Sequence, residues 1–176
     1  MSIHHTELEM PPGRAPLPES ERHKLAILNE RLQPLKDRAG STIEALYAAQ
    51  DLFSYVPPEA IVMVAEELSL PESQVFGVVT FYTMFSLEPQ PPHVLRVCRD
   101  LSCHLAGAQS LIETLEGELG VRHGQTSPDG QFKVEVVSCL GLCDKQPAML
   151  VNLEQHGPVK DAEVSALLDG LRAGTS

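Results

Sequence analysis

The chain has 176 residues, 43% of them hydrophobic and 21% charged, the ordinary usage of one globular domain or a small domain with an appendage. Thirteen Lys and Arg against twenty-four Asp and Glu leave a net charge of −11, which argues against nucleic acid and anionic membrane as partners, since both demand a basic face. No apolar run approaches the ~20 residues of a membrane span, and Met1-Ser2-Ile3-His4-His5-Thr6-Glu7 lacks the basic head and apolar stretch of a signal peptide. The expectation is a cytoplasmic protein without direct membrane insertion.

Residues 1–18 hold Pro11, Pro12, Pro16 and Pro18 with few apolar side chains and read as a flexible tail. From Glu19 the pattern turns helical, with Leu25, Leu28, Leu32 and Leu35 at spacings of three and four, and Pro34 weakening the last turn. Ser41-Thr42-Ile43-Glu44 has the form of a capping box opening a second helix, with Ile43, Leu46, Tyr47 and Phe53 along one side. Pro57-Pro58 starts a third helix with an Ile61, Val62, Ala65 and Leu68 stripe, and Pro71 a fourth running through Val75 and Val78 toward Phe81. Residues 19–88 therefore read as a helical domain, closed by the breaker run Glu88-Pro89-Gln90-Pro91-Pro92.

After that boundary the periodicity changes. Val94-Leu95-Arg96-Val97 predicts a strand ending at Cys98, and residues 105–119 a helix with Ile112, Leu115 and Leu119 inward and Gly120 as its stop. A polar loop through Ser127-Pro128-Asp129-Gly130 leads to a second strand, Phe132 to Val137. Ala148 to Asn152 predicts a third strand, with a short fourth reaching Pro158-Val159. Asp161 would cap a last helix carrying Val164, Leu167, Leu168 and Leu171. The order β-α-β-β-β-α, with one right-handed crossover making the first two strands parallel and a hairpin added, gives residues 93–176 a mixed four-stranded sheet. The fold class is α+β: an N-terminal helical bundle followed by an α/β domain.

All four cysteines fall into two pairs, Cys98 with Cys103 and Cys139 with Cys143. Two disulfides run against a reducing cytoplasm, and neither pair has the C-x-x-C spacing of a thioredoxin redox site. A plant-type ferredoxin would need a third cysteine where Ala106 stands, and a Rieske centre would need histidines near Cys139 or Cys143. Structural zinc stays open, because Cys₄ zinc sites also use two close pairs, and the first pair's four-residue gap lies at the edge of the usual spacing. The other reading is a [2Fe–2S] cluster on four thiolates. Gly141 suits it, since a glycine between thiolates lets the backbone turn and bring amides toward sulfur. Arg99 and Lys145 stand beside ligand positions as possible donors to an anionic cluster, with a solvated role equally open to them, and His104 reads as a helix-start or surface residue. Both pairs follow strand ends that parallel strands would bring to one edge.

These pairs do not stand alone. The run Cys139-Leu140-Gly141-Leu142-Cys143-Asp144 followed by Pro147-Ala148-Met149-Leu150-Val151-Asn152, the run Gly77-Val78-Val79-Thr80-Phe81-Tyr82, and Tyr55-Val56-Pro57 accompany them. Together they resemble the thioredoxin-like [2Fe–2S] ferredoxin subunits of NADH-oxidising complexes, above all the small iron–sulfur subunit of the NADH dehydrogenase module of bacterial respiratory complex I. The resemblance covers about residues 20–172 and fills all four ligand positions. It implies a thioredoxin-like ferredoxin domain with a [2Fe–2S] cluster on Cys98, Cys103, Cys139 and Cys143. It also implies an electron-transfer role beside a flavoprotein subunit that binds FMN and NADH, with further iron–sulfur subunits in the complex, which would make the chain a peripheral subunit.

The residues agree with that division of labour: the chain shows neither G-x-G-x-x-G nor G-x-x-x-x-G-K-[ST], so no phosphate-cradling loop is visible and no catalytic residue is assigned. The segment from Gly77 to Phe85, with Phe81, Tyr82, Met84 and Phe85, reads either as local core or as the face toward the flavoprotein, and the resemblance favours the latter. Two alternatives remain: the same subunit type in a soluble NAD-dependent formate dehydrogenase or bidirectional hydrogenase, and a zinc-stabilised interaction module without redox activity.

Overall fold

Leucines at helical spacing and prolines at helix starts dictate the first half of the chain. The computed structural model describes residues 17–174 and divides into two compact units, one ending at Pro89 and one beginning at Gln90. The first unit is all helix: α1 (His23–Leu32), α2 (Thr42–Phe53), α3 (Pro58–Glu67) and α4 (Glu72–Phe81). Its core is built from Leu28, Leu32, Leu46, Ala49, Val56, Ala60, Val64 and Val75, all fully buried. Pro34 has no amide to continue α1, and the chain tightens there into a 3-10 turn, Gln33–Leu35. Pro58 opens α3 as its first residue, where a missing amide costs nothing.

Two sequence expectations fail in this unit. Ser41 does not cap α2; its hydroxyl is buried and donates to the carbonyl of Leu35 at 3.0 Å, while Glu44 pairs with Arg38. The buried stripe of α3 is Ala60, Ile61, Val64 and Ala65, and Val62 and Leu68 are only half-buried. Of the proline-rich segment 1–18, residues 1–16 lie outside the described residues; Leu17 is buried, and its amide donates to the Glu59 carboxylate at 3.2 Å.

The second unit contains β1 (His93–Cys98), α5 (Leu101–Leu105), α6 (Ala108–Leu119), β2 (Phe132–Val137), β3 (Met149–Val151), β4 (Glu154–His156) and α7 (Val164–Arg172). The sheet order is β2-β1-β3-β4: β1 and β2 are parallel, with Cys98 opposite Val137, and β3 and β4 add an antiparallel hairpin. The sheet is mixed and four-stranded, as the pattern predicts. Alternation sends Leu95, Val97, Phe132, Val134, Met149 and Val151 into one core with Leu111, Leu115, Val164 and Leu168. On the outer edge of β2 the carbonyls of Phe132 and Val134 accept amides from Ser127 and Gly124 at 2.8 and 2.7 Å, so the preceding loop lines that edge.

The expected helix over 105–119 is present as α6, starting three residues later at Ala108; Gly107 at φ 101° separates it from α5, a short helix the sequence pattern did not show. Strand β4 stops at His156, short of Val159. Asp161 does not cap α7; it sits in a 3-10 turn, and its carboxylate accepts the Ser110 hydroxyl. Among the described residues no helix is long and apolar enough to cross a membrane.

Candidate metal centre

The parallel register that sets Cys98 opposite Val137 brings the two segments leaving β1 and β2 to the same end of the sheet. Cys98 is the last residue of β1, and its amide donates to the carbonyl of Ala148 at 3.1 Å. Cys103 lies in α5, the short helix that the break at Gly107 makes possible. Both are 2% exposed and pack with Ala108, Leu142 and Ala148. Cys139 and Cys143 lie on the loop after β2 and are exposed.

Cys139 and Cys143 bring their sulfurs to 3.6 Å from each other across the Leu140-Gly141-Leu142 turn. Gly141 takes φ 78°, which a side chain would resist, and this aims its amide at the Cys139 sulfur, 3.4 Å away. Lys145 closes the turn by donating its amide to the carbonyl of Leu142 at 2.9 Å. All four cysteines line one cavity of about 410 Å³, together with Asp100, Leu101 and Ser102. The sulfurs gather two and two; among the described residues no three His, Cys, Asp or Glu side chains converge as a single ion would require.

Two of the four thiols, Cys103 and Cys143, resist ionisation. Burial pushes the Cys103 thiol up, with its contacts to Cys98 adding and an amide from Ala148 opposing. The Cys139 thiol hydrogen-bonded to Cys143, and its charge when ionised, push Cys143 up as well. A metal group is held by thiolates, so its binding here releases protons from Cys103 and Cys143. Arg99, His104 and Lys145 are exposed, with His104 inside α5 rather than at its start. Sequence reasoning passed over Asp100, whose carboxylate accepts the Cys139 amide at 2.9 Å, and Leu101, which is 74% exposed on the cavity rim. A helix-start Asp two residues after Cys98 was the one available signal. In the first unit, Phe85 is buried while Phe81 and Tyr82 are exposed and meet edge to face at 5.1 Å, so the aromatic run divides between core and surface.

A profile described as thioredoxin-like [2Fe–2S] ferredoxin matches residues 28–172. The chain belongs to the thioredoxin-like [2Fe–2S] ferredoxin family. Its relatives in this family include an NADH-quinone oxidoreductase subunit of Pseudomonas aeruginosa, 37% identical over 85% of this chain and 90% of that one. The like-named subunit of Aquifex aeolicus is 34% identical over 80% and 88%, and that of Escherichia coli K12 is 33% identical over 86% and 95%. Among solved structures, an NAD+-reducing [NiFe]-hydrogenase in the air-oxidised state superposes with a TM-score of 0.67 at 24% identity. That match covers 77% of this chain but only 23% of the hydrogenase chain, a likeness of fold. The cofactor of the ferredoxin family is a [2Fe–2S] cluster, and the paired sulfurs and sulfur-directed amide suit a binuclear group, which takes two thiolates on each iron.

Proposed function

We propose that Cys98, Cys103, Cys139 and Cys143 hold one [2Fe–2S] cluster and that the chain is an electron-transfer subunit of an NADH:quinone oxidoreductase. It would sit beside the flavoprotein subunit that binds FMN and NADH, with further iron–sulfur subunits in the same peripheral assembly on the cytoplasmic side. The observation that carries this reading is the single cavity lined by two cysteine pairs at adjacent strand ends, in a chain whose relatives are NADH-quinone oxidoreductase subunits.

Each residue has a part. Cys98 and Cys103, set in the core, would fix one side of the group against Ala108, Leu142 and Ala148 and keep water from it. Cys139 and Cys143 would hold the other side from the glycine turn, where the Gly141 amide can offset sulfur charge. When bound, the cluster supplies one-electron transfer. The chain would contribute no catalytic residue of its own, and residues 93–176 would form the ferredoxin domain. The helical domain, residues 19–88, would carry the exposed Phe81 and Tyr82 to the flavoprotein, since aromatics are enriched in interface cores.

The test is iron, zinc and acid-labile sulfide content on anaerobically purified chain, with EPR after dithionite reduction. Two irons and two sulfides per chain with a rhombic signal are expected, and Cys→Ser at each of the four positions should weaken or remove the cluster. Zinc without sulfide would overturn the electron-transfer reading and leave a zinc-stabilised interaction module. A Cys→Ser variant with an unchanged spectrum would remove that residue from the ligand set.

A further inference from the structure

Asp100 occupies the residue before α5, where an Asp ordinarily accepts amides from the first turn of its own helix. It makes no such bond. Its carboxylate instead crosses to the other cysteine loop and accepts the amide of Cys139, 39 residues away, at 2.9 Å. Ala148, beyond the second loop, makes two further ties: its amide donates to the Cys103 sulfur, in the same direction as the Asp100 bond, and its carbonyl accepts the Cys98 amide at 3.1 Å, in the opposite one. Asp100 thus ties the start of the second loop to the first segment, and Ala148 ties the chain beyond that loop to it, with Asp100 the exposed tie.

The choice of residue is electrostatically odd. The family cluster is anionic with four thiolates and gains a further negative charge on reduction. A carboxylate on the cavity wall, bonded to the amide of a ligand residue, makes that gain less favourable. An asparagine oxygen would accept the same amide without the charge.

We propose that Asp100 is a positioning residue for the cluster: its carboxylate clasps the Cys139 loop to the Cys98 loop and holds the reduction potential down. This rests on the four-cysteine site proposed above. It separates two effects that can be removed in turn. Asp100→Asn keeps an acceptor for the Cys139 amide and deletes the charge, whereas Asp100→Ala deletes both.

The experiment is an EPR-monitored redox titration of the purified chain, paired with the rate of cluster loss to an iron chelator. Asp100→Asn should hold two irons and two sulfides per chain with a midpoint more positive than wild type. The difference should shrink as ionic strength rises from ~0.01 to ~1 M, because the carboxylate is exposed and screened. Asp100→Ala should show the positive shift together with cluster loss several-fold faster than in either of the others. Asp100→Glu, which keeps the charge, should stay near the wild-type midpoint. A wild-type midpoint in Asp100→Asn, or a wild-type rate of cluster loss in Asp100→Ala, overturns the proposal. A wild-type chain without iron and sulfide fails before any variant is read, and that result refutes the cysteine site itself.

Discussion

Gly157, just after β4, is where one methyl group should reach the metal centre from outside it. A Cβ built on Gly157 lies 2.3 Å from the carbonyl oxygen of Lys145 and 3.0 Å from its Cβ, about 1 Å short of ordinary contact with backbone that no rotamer change can clear. Lys145 donates its amide to Leu142 and so closes the turn that carries Cys143, two residues upstream. Gly157→Ala must therefore displace that turn. Overpacking of this kind costs about 1–3 kcal/mol, and in a domain of this size each kcal/mol lowers Tm by about 4–8 °C. The assay is differential scanning calorimetry of the holoprotein alongside the decay of visible absorbance under chelator. The expected result is a lower Tm and faster cluster loss together. A lower Tm with an unchanged rate of cluster loss would show that the hairpin of β3 and β4 gives way instead, and would refute the coupling argued here.

Phe81→Asp should lower affinity for the flavoprotein by about 2 kcal/mol or more, roughly 30-fold, as loss of an interface anchor does; because Phe81 is 78% exposed, the cluster spectrum and Tm should not move, and loss of all three together would make Phe81 structural. Phe132 is fully buried, stacked on His93 at 5.2 Å and under the Arg172 guanidinium at 5.3 Å, so Phe132→Ala should cost about 3–5 kcal/mol in urea unfolding, and a loss under 1 kcal/mol would contradict the packing. The amide of His123, then its ring nitrogen, each at 2.8 Å, holds the Glu116 carboxyl below its ordinary 4.5. The resulting stability is present above pH ~4.5 and is lost as the pH falls through the lowered value, so the gap between wild type and Glu116→Gln in urea unfolding should be wider at pH 7 than at pH 3. A gap equal at both pH values would refute that assignment.

The second unit was legible in the sequence because its strands are short apolar runs bounded by breakers and one cysteine of each pair stands at or just after a strand end. Periodicity fixes which residues face the core, and the β-α-β-β-β-α order then leaves few ways to assemble the sheet. What escaped the reading depends on partners distant in sequence. Ser41 and Asp161 stand where local rules expect caps, yet their hydroxyl and carboxylate bond Leu35 and Ser110, which no short-range pattern shows. Gly107 fell inside the expected helix over 105–119, and its φ of 101° is what ends the short α5 that holds Cys103 before α6 begins. Arg96 is 7% exposed within β1, paired with Glu135 at 3.0 Å and donating to the carbonyl of Asn152 at 3.2 Å, partners that no local pattern shows. At the candidate site the pairing of the four cysteines stood out in the sequence, and the family resemblance pointed to them as ligands, whereas Asp100 and the tight passage at Gly157 arise from segments that meet only after folding.

The treatment of the sheet's two flanks bears on how a protein of this kind survives before it is assembled. An open strand edge is a template for pairing with another chain, and through it for aggregation. Here β2 has the outward carbonyls of Phe132 and Val134 already taken by Ser127 and Gly124, and β4 ends after three residues. Strand-by-strand growth from either flank finds little to bond. The free chain should therefore stay monomeric at concentrations where an unguarded sheet would precipitate, and recruitment into a larger complex falls to helices and loops rather than to an added strand.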